Sequence, residues 1–233
     1  MFLWALYLLG CLRHRPRPWQ FLTFHAAILL CVVAIFGPLD ERAEINAAAH
    51  MTQHMLMMLA IAPLWVISQP LPQMNASRVG RGLSVLWQPL LKLTANPLLA
   101  ATVHGIAIWF WHLPRFYVLA LESPWWHAVE HLSFLVTAAI FTWAVLKSSK
   151  HAAPHALLAV LFTLMHTGVL GALLTFARAP LYVSIFTIDL PTADLLQAQQ
   201  LAGLLMWVLG GIPYMAVSVW IMQRWFRQLL AYQ

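Results

Sequence analysis

Residues 50–68 read HMTQHMLMMLAIAPLWVIS, and this stretch decides the fold because it is almost wholly apolar beyond its first turn. As a helix, a stretch of this length reaches about 28 Å, which matches the hydrocarbon thickness of a bilayer. It also carries His50 and His54, which lie one turn apart and therefore share a face of the helix. The stretch predicts a membrane-spanning helix with a pair of imidazoles near one end.

Similar apolar stretches recur along the whole chain. Hydrophobic residues make up 62% of the sequence and charged residues only 9%, which excludes an ordinary soluble domain. We predict an all-α polytopic membrane helix bundle that forms a single domain over residues 1–233. It has seven transmembrane helices, the first of them short, over residues 1–12, 19–36, 50–68, 97–113, 125–146, 154–175 and 199–222.

The basic residues between these spans predict the orientation. One side of the bundle receives Arg13, Arg15, Arg17, Arg78, Arg81, Lys92, Lys147, Lys150, Arg224 and Arg227, and the other only Arg42, Arg115 and Arg178. By the positive-inside rule the first side, with the C-terminus, is cytoplasmic. A net charge of +6 spread over short loops is typical of topology signals, so we expect no nucleic-acid partner. The two cysteines, Cys11 and Cys31, form no CxxC motif and predict no thiolate site.

This orientation places two histidine pairs at the outer edge of the membrane. His50 and His54 open the third span, while His127 and His131, with Glu130 between them, open the fifth. Polar side chains within a bilayer are costly and tend to be functional. Two one-turn pairs at the same depth predict one metal site, in which a metal ion or an imidazolium stabilises the Glu130 carboxylate.

Further candidate ligands lie near the same depth. His112 closes the fourth span and His166 lies in the outer half of the sixth, so both are candidate supplementary or transfer ligands. Met58 follows His54 by one turn and is the methionine that we expect to contribute. Imidazole and thioether ligands without thiolates suit copper, as Cu(I) or Cu(II), better than magnesium or calcium, and zinc is the second choice.

For the single histidines within spans we expect a structural role and not metal binding. His25 and His104 have no histidine one turn away on the same face. A buried histidine in a membrane bundle usually hydrogen-bonds to a neighbouring carbonyl. We therefore predict packed, hydrogen-bonded roles for both.

A metallohydrolase is the first alternative. The string His127-x-x-Glu130-His131 matches the inverted zincin motif HxxEH, in which the histidines hold zinc and the glutamate activates water. Such a site needs a further ligand downstream, and the remaining acids there are Asp189 and Asp194. Peptide cleavage is the activity that this alternative predicts.

Haem binding is the second alternative. Membrane four-helix bundles hold haem between histidines of facing helices, and the candidates here are His54, His131 and His166. One-turn pairs at a helix end suit a compact ion better than a porphyrin deep in the bundle. A Soret absorption band is the observation that this alternative predicts.

Five strings, taken in order, resemble the multi-spanning CtaG family of cytochrome c oxidase assembly factors. They are GPLD at 37–40, HMTQHMLMMLAIAP at 50–63, WHLP at 111–114, HAVEHLSF at 127–134 and QQLAGLLMW at 199–207. The resemblance implies a polytopic membrane protein that helps to mature a haem-copper oxidase by handling copper, without catalytic turnover.

The resemblance also implies surroundings and partners. The expected location is the bacterial inner (plasma) membrane, with the metal site facing the extracytoplasmic side, where oxidase copper centres lie. The expected partners are cytochrome c oxidase subunits, the lipid bilayer and a soluble copper chaperone.

Overall fold

Helices joined by short turns and loops make up the chain. The computed structural model describes residues 2–149 and 152–230, and within these ranges it contains no β-strand. The α-helices are α1 Phe2–Cys11, α2 Pro18–Phe36, α3 Pro38–Ala43, α4 Ala47–Leu56, α5 Ala62–Ser68, α6 Leu71–Met74, α7 Arg78–Leu93, α8 Pro97–Trp111, α9 Pro114–Glu122, α10 Pro124–Leu146, α11 Ala153–Thr175, α12 Thr192–Leu204 and α13 Gly210–Leu230. The all-α prediction is confirmed. Met1 and Lys150, which the predicted first span and the predicted charge asymmetry include, lie outside the described residues.

Most long helices begin at a residue that suits a helix start. Proline occupies the first turn of α2, α8, α10 and α11, where its missing N–H costs no intrahelical hydrogen bond. Asn46 caps α4, because its side-chain oxygen accepts hydrogen bonds from the backbone of Ala48 and Ala49. Asn96 caps α8 in the same way. These caps determine where two of the helices that carry histidines begin.

Five helices of the described chain are long and apolar enough to cross a membrane. They are Pro18–Phe36, Ala47–Ser68, Pro124–Leu146, Ala153–Thr175 and Thr192–Arg227. The number rises to six if α7 and α8, which meet at 107°, are taken as one broken segment. Helix α1 has ten residues and is shorter than a full crossing. The count of seven spans and the cytoplasmic C-terminus therefore stay predictions.

Two of the long helices contain a π-helical segment. Met57–Ile61 connects α4 to α5, and Leu205–Leu209 connects α12 to α13. Each segment widens the helix locally and rotates the residues after it relative to the residues before it. Such segments occur frequently at functional sites. Here each begins shortly after buried polar side chains, which are His50 and His54 in α4 and Gln199 in α12.

The main apolar core lies between α4, α5, α10 and α12. Met51, Met58, Phe134 and Met206 are buried together in it, with Trp111 from α8. Helix α11 approaches α12 closely where Gly171 meets Gly203. A Cβ atom added to Gly171 would lie 2.8 Å from the carbonyl oxygen of Gly203, so only glycine permits this contact. The contact holds α12 against the bundle, and α12 in turn packs on α4.

Candidate metal centre

Helix α4 carries the first histidine pair. The backbone N–H of His50 donates to Asn46 O at 3.0 Å. The cap residue therefore fixes the position of His50 at the end of the first turn of α4. His54 follows one turn later, and its ring centroid lies 4.1 Å from that of His50. Both side chains have 0% relative exposure. The pair therefore presents two adjacent imidazoles to the interior of the bundle.

Helix α10 carries the second pair and the carboxylate. The backbone N–H of His127 donates to Ser123 O at 2.9 Å in the first turn of the helix. The rings of His127 and His131 lie 4.0 Å apart, as expected for a one-turn pair. Glu130 is 1% exposed and His131 is 6% exposed, whereas His127 is only partly buried. The second pair thus reaches from the surface of the bundle into its interior.

The two helices bring these side chains into contact. Oε2 of Glu130 lies 3.6 Å from Nε2 of His50 and 3.6 Å from Nε2 of His54. One ligand atom from each of His50, His54, His127 and Glu130 lies within 4.8 Å of the other three. Across the helices, the ring centroids of His50 and His127 are 5.4 Å apart, as are those of His54 and His131. The sequence prediction that both histidine pairs meet is thus matched by the geometry.

Most donor atoms of this cluster have no hydrogen-bond partner within the described part of the chain. The unpartnered atoms are Nδ1 and Nε2 of His50 and of His54, Nε2 of His112, His127 and His131, and both carboxylate oxygens of Glu130. A buried polar atom without a partner costs about 1–3 kcal/mol. So many such atoms in one place fit a bound cation, which would pair with several of them at once.

His112 adds a fifth imidazole from the end of α8. Its Nδ1 lies 2.7 Å from Ile108 O, and because a carbonyl can only accept, Nδ1 must carry the proton. Nε2 therefore keeps its lone pair and is free to bind a metal. His112 is 5% exposed and lies within electrostatic range of His54 and Glu130.

Two stacked tyrosines cover the cluster. The ring centroid of Tyr117, in α9, lies 5.0 Å from that of His50. It lies 3.8 Å from that of Tyr182, on which Tyr117 stacks. Burial raises the pKa of both phenols, that of Tyr117 well above its usual range, so both remain neutral. The Tyr182 hydroxyl donates to His112 O at 3.0 Å. A cavity of about 20 Å³, large enough for about one water molecule, is lined by both tyrosines and Gln199.

Polar contacts hold the loop that carries Tyr182. The backbone N–H of Leu181 donates to Oε1 of Gln199 at 2.6 Å, and that of Ile185 donates to Oε1 of Glu122 at 2.8 Å. The loop is therefore tied to both α12 and α9. Its attachment places the tyrosine pair over His50.

A second carboxylate approaches the cluster from α3. Nε2 of Gln53 donates to Oδ1 of Asp40 at 2.6 Å and to Ala34 O at 2.7 Å. Gln53 has 0% relative exposure, and Asp40 lies close enough to His127 to act on its charge. Sequence reasoning did not assign a role to Asp40, Gln53, Tyr117 or Tyr182. Only the GPLD string, through its resemblance, pointed to the neighbourhood of Asp40.

The two remaining predicted ligands, His166 and Met58, lie in different surroundings. His166 does not join the four-residue group; it packs on Gly105, and its Nδ1 accepts from Trp109 Nε1 at 3.4 Å. The expectation that it converges with the other outer histidines is not met, because the face of α11 that carries it turns toward α8. Met58 is 4% exposed and lies in the apolar core.

Both single histidines are hydrogen-bonded, but only His25 bonds to a carbonyl, as the sequence predicted for both. Nδ1 of His25 donates to Phe21 O at 2.8 Å. Nδ1 of His104 bonds to a hydroxyl, Thr137 Oγ1, at 2.9 Å. Both rings are therefore partnered by groups of the protein.

The geometry gives no support to the zinc hydrolase or haem alternatives. Asp189 and Asp194, the downstream acids that an inverted zincin would need, are both exposed and stand outside the four-residue group. His166 is absent from the cluster, which removes one candidate haem ligand. The remaining imidazoles surround a carboxylate at short range, an arrangement that suits a compact cation rather than a flat macrocycle.

Comparison with known proteins gives one match. The sequence profile of a family described as "Cytochrome c oxidase caa3 assembly factor (Caa3_CtaG)" matches residues 5–228. No curated protein and no solved structure matches the chain. The profile covers every residue of the cluster and the loop above it.

Proposed function

We propose that this chain, which belongs to the cytochrome c oxidase caa3 assembly factor family, binds copper at the histidine–glutamate cluster and delivers it to the oxidase. The ion is cargo in this scheme. The chain promotes assembly and carries out no catalytic turnover.

The observation that carries the proposal is the set of unpartnered donor atoms. His50 and His54 are fully buried, and neither ring nitrogen of either has a hydrogen-bond partner among the described residues. Folding this arrangement without a ligand costs free energy, because each imidazole has given up water without gaining a hydrogen bond. A cation that accepts lone pairs from these nitrogens recovers that cost.

The donor set favours copper over the alkaline-earth ions. Calcium and magnesium select oxygen ligands, whereas this cluster offers imidazoles and a single buried carboxylate. Imidazole also suits zinc. Copper is preferred here because the family assists an oxidase with copper centres and because the thioethers of Met51, Met58 and Met206 line the neighbouring core.

Each residue then has a role in the proposal. His50, His54, His127 and Glu130 hold the ion, since their ligand atoms already lie within 4.8 Å of one another. His131 and His112 extend this ligand set. Met58 lies in the core next to the cluster and offers a soft sulfur for Cu(I).

The surroundings follow from the predicted orientation. With the positively charged loops in the cytoplasm, the cluster faces the extracytoplasmic side of the bacterial inner membrane. The oxidase subunits are the receiving partner, and a soluble copper chaperone is a candidate source of the ion. The partly buried His127 is the cluster residue nearest to solvent and therefore the natural point of transfer.

The experiment is complementation of a strain that lacks this protein. We expect wild type to restore oxidase activity and oxidase copper content at low external copper, and His54→Ala/His131→Ala to restore neither. The matched control is His14→Ala/His155→Ala, which removes two exposed histidines outside the cluster and should behave as wild type. Full oxidase copper with the His54→Ala/His131→Ala variant, at normal protein level, would overturn the proposal.

A further inference from the structure

The cluster offers more donors than one copper ion uses. Five imidazoles and a carboxylate converge, and the four-residue group that fits one ion does not include His131 or His112. Nε2 of each of these two histidines is buried and unpartnered within the described chain. A single ion at the four-residue group leaves these two nitrogens unexplained.

The histidines also form two cross-helix pairs. The first cross-helix pair is His50 with His127, whose rings lie 5.4 Å apart at 17°. The second cross-helix pair is His54 with His131, whose rings are also 5.4 Å apart. Because α4 and α10 each contribute residues one turn apart, the two cross-helix pairs stand one helical turn from each other. The same two-ligand unit is therefore present twice.

Glu130 stands between the two cross-helix pairs. Its Oε2 is 3.6 Å from Nε2 of His50 in the first pair and 3.6 Å from Nε2 of His54 in the second. Its Oε1 has no hydrogen-bond partner among the described residues. A carboxylate with two unused oxygens between two pairs of imidazoles is suited to bridge two ions.

The number of carboxylates at the site favours Cu(I) over Cu(II) for two ions. Two Cu(I) ions bring two positive charges, which Glu130 and the neighbouring Asp40 balance. Two Cu(II) ions would leave an excess of positive charge in a buried site, and an uncompensated buried charge is strongly unfavourable. Cu(I) also accepts low coordination numbers, so two imidazoles and one carboxylate oxygen complete its ligand set.

We propose, building on the copper-binding function above, that the cluster binds two Cu(I) ions, one at each cross-helix pair, bridged by Glu130. Each protein molecule thereby carries two copper ions at the same time.

The test is an anaerobic titration of the purified full chain in detergent with Cu(I), in competition with a coloured Cu(I) chelator. We expect two tightly bound ions per wild-type chain and one per His131→Ala chain, because that variant keeps the four-residue group intact. The control is His166→Ala, which removes an imidazole outside the cluster and should still bind two. Size-exclusion elution of each variant checks that it is folded.

X-ray absorption of the Cu(I)-loaded wild type adds a measurement that needs no variant. Two bridged ions should produce a copper–copper scattering contribution at a separation of about 3.5–4 Å, the usual range for two-metal sites. A wild-type stoichiometry of one overturns the two-ion site while leaving copper binding intact. Two ions without copper–copper scattering overturn the bridge through Glu130. Two ions retained by His131→Ala overturn the assignment of pairs. A stoichiometry of zero overturns the copper-binding function itself.

Discussion

His25 and His54 both lie within apolar helices, yet their ring nitrogens have opposite surroundings. In His25, Nδ1 donates to Phe21 O at 2.8 Å and Nε2 accepts from Trp4 Nε1 at 3.2 Å. In His54, neither nitrogen has a hydrogen-bond partner in the described part of the chain, although the residue is fully buried and its Nε2 lies 3.6 Å from Oε2 of Glu130. The His25 ring is therefore fully hydrogen-bonded without a ligand, and the rings around Glu130 are not. Hydrogen-bond satisfaction, more than burial, separates a structural histidine from a candidate ligand.

The largest expected effect is on copper affinity, which should fall in the His54→Ala variant and not in the His25→Ala variant. His54→Ala should lower the affinity by about a hundredfold or more, because even loss of a residue that only supports a ligand costs about 10–100-fold. His25→Ala should leave affinity unchanged and instead lower the free energy of unfolding by about 1–2 kcal/mol through its lost hydrogen bonds. Chelator competition and thermal unfolding measure the two quantities. Equal losses of copper affinity in both variants would contradict the distinction between a structural histidine and a ligand.

A second test uses stability in place of affinity. Saturating copper should stabilise the wild type, by about 2.7 kcal/mol at a free concentration a hundred times the Kd. The His50→Ala/His54→Ala variant should gain nothing, while His25→Ala should gain as much as wild type. The measurement is thermal unfolding of detergent-purified protein with and without copper. An equal gain in the His50→Ala/His54→Ala variant would place the copper elsewhere.

A smaller effect is expected from the glutamine within α4. Gln53→Leu removes the hydrogen bond that ties Asp40 to α4 beside the first histidine pair, so copper affinity should fall by about tenfold. Gln20→Leu is a matched control, since that side chain bonds to the backbone of Arg17, far from the cluster in sequence. Competition with the same chelator compares the two variants. An unchanged affinity in Gln53→Leu would show that Asp40 plays no part in holding the ion.

The smallest effect concerns the tyrosine cover. Tyr182→Phe keeps the stacked ring but loses the hydrogen bond to His112 O, which costs about 1 kcal/mol. We expect copper to exchange a few times faster, with little change in affinity, because the cover opens more readily while the ligands remain. Stopped-flow transfer of copper to a chelator measures the rate. A rate equal to that of wild type would mean that copper reaches the cluster by another route.

Much of the cluster could be predicted from helical spacing alone. A one-turn spacing determines which residues share a helix face, so His50 with His54 and His127 with His131 needed only the sequence. Depth in the membrane, which the ends of the apolar stretches predict, stays a prediction. Rotation about a helix axis did not follow from the sequence, and His166 shows the consequence: it lies in a similar part of its span but packs on Gly105.

Other features depended on contacts that a single sequence does not display. Asp40 and Gln53 are ordinary polar residues until α3 folds against α4. The π-helical segment Met57–Ile61 shifts the register of the helix, which a regular periodicity cannot anticipate. The span count was hard to predict for a similar reason, because the 107° bend between α7 and α8 depends on how both helices pack.

The copper content of purified protein tests the central claim most directly. Wild-type protein produced with added copper and then exchanged against a weak chelator should retain its copper. A His14→Ala/His25→Ala/His155→Ala/His166→Ala variant, with four histidines removed outside the cluster, should retain as much. The His50→Ala/His54→Ala/His127→Ala/His131→Ala variant, with the four paired histidines removed, should retain none. Equal copper in both fourfold variants, each eluting as folded protein, would contradict the claim that the unpartnered imidazoles form the copper site.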